Sequence, residues 1–166
     1  MTTPQTNQFN RVNARVSALP LPRRLRQQVL TLGMGLTIPY LSTSSVELLE
    51  FDPSSAKLRV RNQRKVQNHM RSVHASAMYL LAEAATGTVL ASNLPDGTRY
   101  SVTRSEIDFV RRAVGDLVAH ATLDQAQQRM LREEPKGRLR VPVQVLDGEG
   151  HEPARFVIEW AWKYRR

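Results

Sequence analysis

An amide, two imidazoles and a carboxylate follow one another at Asn68, His69, His74 and Glu83. Glu83 sits within Ala75-Ser76-Ala77-Met78-Tyr79-Leu80-Leu81-Ala82-Glu83-Ala84-Ala85, an otherwise apolar run. Burying a carboxylate costs free energy, and a fold that keeps one often uses it. Surrounded by Ala, Leu and Met, it is expected to titrate above a solvated carboxylate and so to be a better general base. The competing reading is a structural acid, paired with a buried arginine or with backbone across a dimer. His120 and His151 stand alone, and no His/Asp/Glu cluster has metal-ligand spacing, so no metal is expected.

The elements that must position these groups can be read from periodicity. Ser72 to Ser92 is apolar nearly all round, which predicts a long helix enclosed on most sides. Before it, Ser45 to Phe51 and Lys57 to Arg61 read as two strands joined by a turn at Asp52-Pro53-Ser54-Ser55. After it, strands are predicted over Tyr100–Val110, Asp116–Leu123, Arg138–Leu146 and Ala154–Tyr164. Asp147-Gly148-Glu149-Gly150 is a hairpin turn between the last two. Thr122 to Glu134 is either a helical turn or a bulged extension of its strand. Trp160 and Trp162 share one face of the last strand and are assigned to packing in the core or a dimer.

From Pro22 to Met34, Leu25, Val29 and Leu32 recur at helical spacing, with Arg23, Arg24 and Arg26 on the other side. Such a basic amphipathic helix either packs on the domain's own sheet, the preferred reading, or binds a membrane. Residues 1–10 read as a frayed tail. The expected organisation is an N-terminal tail over residues 1–21 and one domain over residues 22–166. The fold class is α+β, an antiparallel sheet around one central helix, with an N-terminal amphipathic helix.

Composition narrows the partners. The chain has 166 residues, 41% of them apolar, as in an ordinary globular domain of one core. It has no cysteine, which excludes disulfides, thiol catalysis and Cys-ligated zinc. No secretory signal and no apolar run long enough for a membrane span is read, so the cytoplasm is the expected location. The net charge of +9 favours polyanions such as nucleic acid, anionic lipid or coenzyme A. Only 6% of residues are aromatic and no long Lys/Arg block occurs, which makes a nucleic-acid partner the weakest of the three.

The central run resembles the hotdog-fold, thioesterase-like superfamily. It is most similar to uncharacterised bacterial hotdog proteins with the core N-H-x-G-x-V-H-A-x-A-M-x-x-x-A-E, related to phenylacetyl-CoA and hydroxybenzoyl-CoA thioesterases. Asn68, His69, Val73, His74, Ala75, Ala77, Met78, Ala82 and Glu83 match it, and the likeness runs from about Ser45 to Tyr164. The resemblance implies a homodimer or homotetramer with sites at subunit interfaces, acting on an acyl-CoA or acyl-carrier thioester. Coenzyme A would enter only as part of the substrate, and no separate cofactor is implied.

In that reading Glu83 is the base or nucleophile, and the Ala75 amide at the helix start is the oxyanion donor. His74 and Asn68 orient the carbonyl or water, and Ser76 borders the approach. Ser101 or Thr103 could supply an assisting hydroxyl. Arg111 or Arg112 could meet the cofactor phosphates, although a solvated edge charge explains them as well.

Two positions depart from the pattern. Arg71 stands where the family has glycine, which leaves open both whether the loop takes the positive φ that a glycine allows and whether the guanidinium meets a phosphate. Gly87 stands where a Ser or Thr sometimes supports the acid. The alternative is therefore a non-catalytic acyl-CoA or lipid-binding hotdog protein.

Overall fold

The computed structural model describes residues 7–165. Three helices, α1 (Gln8–Ser17), α2 (Arg23–Thr37) and α3 (Pro39–Thr43), lead into strands β1 (Val46–Phe51) and β2 (Ser55–Val60). The long helix α4 (Ala75–Ala91) follows. Then come β3 (Arg99–Phe109), β4 (Leu117–Thr122), α5 (Gln125–Glu133), β5 (Lys136–Val141), β6 (Val143–Leu146) and β7 (Ala154–Lys163). All strand pairs are antiparallel, in a four-stranded sheet β1-β2-β4-β6 and a three-stranded sheet β3-β7-β5. Helix α4 packs against β2 and β4 of the first and β7 of the second. Leu81, Ala82, Ala85 and Val89 are buried there with Leu58, Leu117, Ala119 and Ile158. The expected α+β sheet around a central helix is what the chain forms.

The predicted strand Arg138–Leu146 is divided at Pro142. Proline donates no ladder hydrogen bond. Its carbonyl accepts from Thr122 N at 3.1 Å, and beyond it β6 leaves β7 for β4. The turn after β6 forms as expected, but it joins strands of different sheets. The segment after β4 resolves to the helix, α5. Asp124 caps it, accepting from Gln127 N while the Gln127 side chain accepts from Asp124 N.

Of the expected frayed tail, residues 1–6 lie outside the described residues, and residues 8–10 open α1. The Asn7 carboxamide accepts from Asn10 N and donates to Ala91 O and Leu94 O. It thereby caps the start of α1 and satisfies carbonyls at the end of α4 together. Phe9, Val12 and Val16, spaced three and four apart, were the periodic signal for this helix.

Helix α2 packs on β1, but through the opposite face from the one its apolar spacing suggests. Gln27 donates to Leu49 O at 2.7 Å, Thr31 Oγ1 accepts from Leu48 N at 3.0 Å, and Met34 is buried. Strand β1 is an edge strand, and its outer N–H and C=O groups need partners. The polar side chains supply them, so Leu25, Val29 and Leu32 turn outward.

One buried acid fixes the approach to α4. The Asp147 carboxylate accepts backbone N–H bonds from Val114, Glu149 and His151 at 3.0 Å each. Burial pushes its pKa up, but these bonds outweigh it and hold the group below the ordinary value. The 110–116 segment held this way carries Ala113 O, which accepts from Ser72 Oγ at 2.7 Å, just before α4. Asp147→Ala is expected to cost roughly 3 kcal/mol, read as a lowered urea midpoint. Because the folded pKa is depressed, the wild-type advantage is present above the unfolded carboxylate pKa and disappears as pH falls through the folded one.

Candidate active site

Residues one turn apart on α4 bring Tyr79, Glu83 and Gly87 to one face, with Ala84 and Thr88 beside them. That face opens into a cavity of about 500 Å³. Tyr100, Ser101 and Val102 of β3, Trp160 of β7, and Phe9, Ile38 and Leu41 complete its walls. The lining is largely apolar, with Glu83 as its acid. The Glu83 side chain is half-buried and makes no hydrogen bond or ion pair with any described residue. Burial pushes its carboxyl above the ordinary glutamate range. The intrachain arginine partner of the structural reading is thus absent among the described residues.

The hydroxyl neighbours sort themselves by strand register. Ser101 lies in the cavity with Glu83, whereas Thr103 Oγ1 bonds Glu159 Oε1 at 3.0 Å. Tyr100 shares the cavity, its ring 5.8 Å from that of Trp160. Burial first, and the Glu83 charge second, push the Tyr100 phenol upward, which places the two groups within electrostatic reach. Gly87 has a packing reason: a Cβ there would meet the Trp160 ring at 3.0 Å. Trp160 Nε1 donates to Thr86 Oγ1 at 3.0 Å, and Thr86 and Thr88 themselves donate to backbone carbonyls of α4, so the hydroxyls flanking Gly87 do not bond the carboxylate.

The remaining sequence candidates gather elsewhere, at the start of α4. His74 is its N-cap, and Nδ1 accepts from Ser76 N at 3.1 Å while lying 2.8 Å from Ser76 Oγ. Its carbonyl accepts from Ala77 N and Met78 N, and its own N–H donates to Val66 O. Three of the first-turn amides are satisfied in this way. The Ala75 amide has no acceptor among the described residues, and it lies at the positive end of a 17-residue helix. Asn68 Oδ1 accepts from Met70 N and Ser72 N, so this amide shapes the loop. Within the loop Arg71 takes φ +57°, the left-handed conformation a glycine would take, so the glycine-type turn survives the substitution.

Arg112 donates to Met70 O at 2.5 Å and thereby braces the same loop; Arg111 lies 3.9 Å from Glu149. His69 is exposed. No three His, Cys, Asp or Glu residues converge into a metal-binding group among the described residues.

The candidates therefore form two clusters, and one helix keeps them apart. Eight residues of α4 at 1.5 Å each separate the Ala75 amide from Glu83 by about 12 Å. Reasoning from sequence missed Tyr100, Tyr79, Trp160 and the N-terminal wall of Phe9, Ile38 and Leu41. The spacing of Tyr79 and Gly87 around Glu83 was available as a signal for the helical part; the rest depends on tertiary contacts.

The chain matches a family described as a domain of unknown function, DUF4442, over residues 26–162. Solved structures with the same fold include a protein of unknown function from Pseudomonas aeruginosa described as a probable thioesterase. It is 23% identical at a TM-score of 0.73, covering 89% of this chain and 99% of that one. A thioesterase from Haemophilus influenzae is 12% identical at a TM-score of 0.65, covering 80% and 88%. A mutant thioesterase enzyme from Staphylococcus aureus is 13% identical at 0.64, covering 75% and 98%. These likenesses establish the hotdog-type architecture. No curated protein matches the chain.

Proposed function

This chain belongs to the DUF4442 family, and we propose from that premise that it is an acyl thioester hydrolase with Glu83 as general base. The observation that carries the reading is a half-buried carboxylate without a partner among the described residues, in a cavity of the size that takes small organic ligands. Glu83 takes a proton from water as the water oxygen bonds to the thioester carbonyl carbon. The tetrahedral intermediate collapses, the C–S bond breaks, and the Glu83 carboxyl returns the proton to the leaving thiolate. Ser101 orients the water or carbonyl, and the apolar wall of Leu41, Val102 and Trp160 receives the acyl group.

Developing charge on the carbonyl oxygen requires a donor, and the open Ala75 amide has the right chemistry. At about 12 Å from Glu83 it cannot serve the same carbonyl within one chain. A second copy, set antiparallel along α4, supplies it. Strand β3, an exposed edge that among the described residues pairs with β7 alone, is the natural junction for such a homodimer. A coenzyme A thioester suits a basic protein, and Arg111, 3.9 Å from its Glu149 partner, is a cation that could turn to the phosphates.

Hydrolysis of a panel of acyl-CoAs of increasing chain length, followed by thiol release, tests the proposal. Turnover of at least one member above the uncatalysed rate is expected. Acyl-CoA binding without turnover across the panel would instead identify a non-catalytic acyl-binding protein.

A further inference from the structure

Helix α2 carries its apolar stripe on the outside. Leu25, Val29, Leu32 and Leu36 are spaced four, three and four residues apart, and so lie within a narrow sector of the helix. They are 45%, 44%, 65% and 76% exposed. The opposite sector is committed to β1 through Gln27, Thr31 and Met34, so rotation of the helix cannot bury the stripe. A row of four outward aliphatic side chains marks an interaction surface.

Charge identifies what fits it. Residues 1–46 contain five arginines (Arg11, Arg15, Arg23, Arg24 and Arg26) and no acidic residue. Arg24 and Arg26 flank the stripe on its two sides; Arg24 has no ion-pair partner among the described residues, and Arg26 reaches only Ser17 O. A second copy meeting this face about a two-fold axis would set the flanking Arg24 and Arg26 against their own symmetry mates, and the acid that reaches α2, Glu50, is already held by Arg23 and Lys57. A nucleic acid would leave the aliphatic row uncovered. An anionic bilayer takes both parts, the aliphatic side chains at the acyl boundary and the guanidinium groups at the headgroups. At 15 residues, or about 22 Å, the helix is too short to span and suits the plane of the interface.

We propose that the outward face of α2 docks the protein on an anionic lipid surface. The surface leads toward the cavity, because Ile38, two residues beyond Leu36, is both exposed and part of its wall. Docking stands independently of whether the cavity hydrolyses or only binds its ligand.

Co-sedimentation of the full chain with vesicles tests it, using phosphatidylcholine alone and an equimolar mixture with phosphatidylglycerol. Retention on the anionic vesicles, falling as salt rises, and weak retention on phosphatidylcholine are expected. Leu32→Glu and Leu36→Glu should each weaken retention on the order of tenfold, and Arg24→Ala roughly fivefold. Melting temperature and turnover of soluble short-chain acyl-CoA should stay at the wild-type level in all three. Absence of wild-type retention, or equal retention by the variants, overturns the proposal. So does a smaller mass for Leu36→Glu by light scattering, which would make the stripe an interface between copies.

Discussion

Glu83→Gln is expected to lower kcat for acyl-CoA hydrolysis about 10²–10⁴-fold, the usual contribution of a positioned general base. Glutamine keeps the shape and polarity of the side chain but cannot take a proton from water. The pH profile separates this loss from a structural one. Burial pushes the Glu83 carboxyl up, so the acid limb of the wild-type kcat/KM profile should lie above the ordinary glutamate range. That limb should vanish in the variant's residual activity.

Stability should move the opposite way. A carboxyl whose folded pKa is raised favours the fold while protonated, and that contribution is lost as pH rises through the folded value. Glu83→Gln should therefore melt higher than wild type near neutral pH and converge with it in acid. A variant with lost activity and a lower melting temperature at neutral pH would mean that Glu83 supports the fold instead.

The same buried acid explains how much of this molecule was legible in its sequence. A carboxylate within an apolar helix can be read directly, because local composition creates the conflict between charge and burial. Helix α4 was legible because it is apolar nearly all round, and most strands because their alternation matches the face they bury. Helix α2 shows where this logic fails. Its aliphatic spacing predicts an inward stripe, yet the exposed edge of β1 needed hydrogen-bond partners, and Gln27 and Thr31 are the side chains of α2 that give them. The decision between faces was made by a neighbour distant from the helix's own pattern.

Pro142 is a similar case, since proline signals a break in a strand but not which sheet the chain joins afterwards. Among the site candidates, adjacency in sequence implied adjacency in space for Asn68, His74 and Glu83. The rise of the helix separates them, and Ser101 from a distant strand shares the cavity with the acid. Arg71 also resisted reading: the loop anchored by Asn68, Ser72 and Arg112 holds it at a positive φ that its side chain disfavours.

Mixing two inactive variants should restore activity. Ala75→Pro removes the amide proton at the first helical position, where proline is well tolerated. His74, at φ −66° and ψ 145°, already has the extended conformation required before a proline. Loss of one oxyanion donor should cost about 10²–10³ in kcat with little change in melting temperature. If each site joins Glu83 of one copy to the Ala75 amide of another, a mixed dimer of Glu83→Gln and Ala75→Pro contains one dead and one intact site. Random reassortment makes half the dimers mixed, so an equimolar mixture refolded together should recover roughly one quarter of wild-type activity. A site complete within one chain allows no such recovery, since every copy in the mixture would still lack a required group. Recovery would make the roughly 12 Å of helix between base and amide, which separates the groups in each protomer, the reason that two protomers are needed for one site.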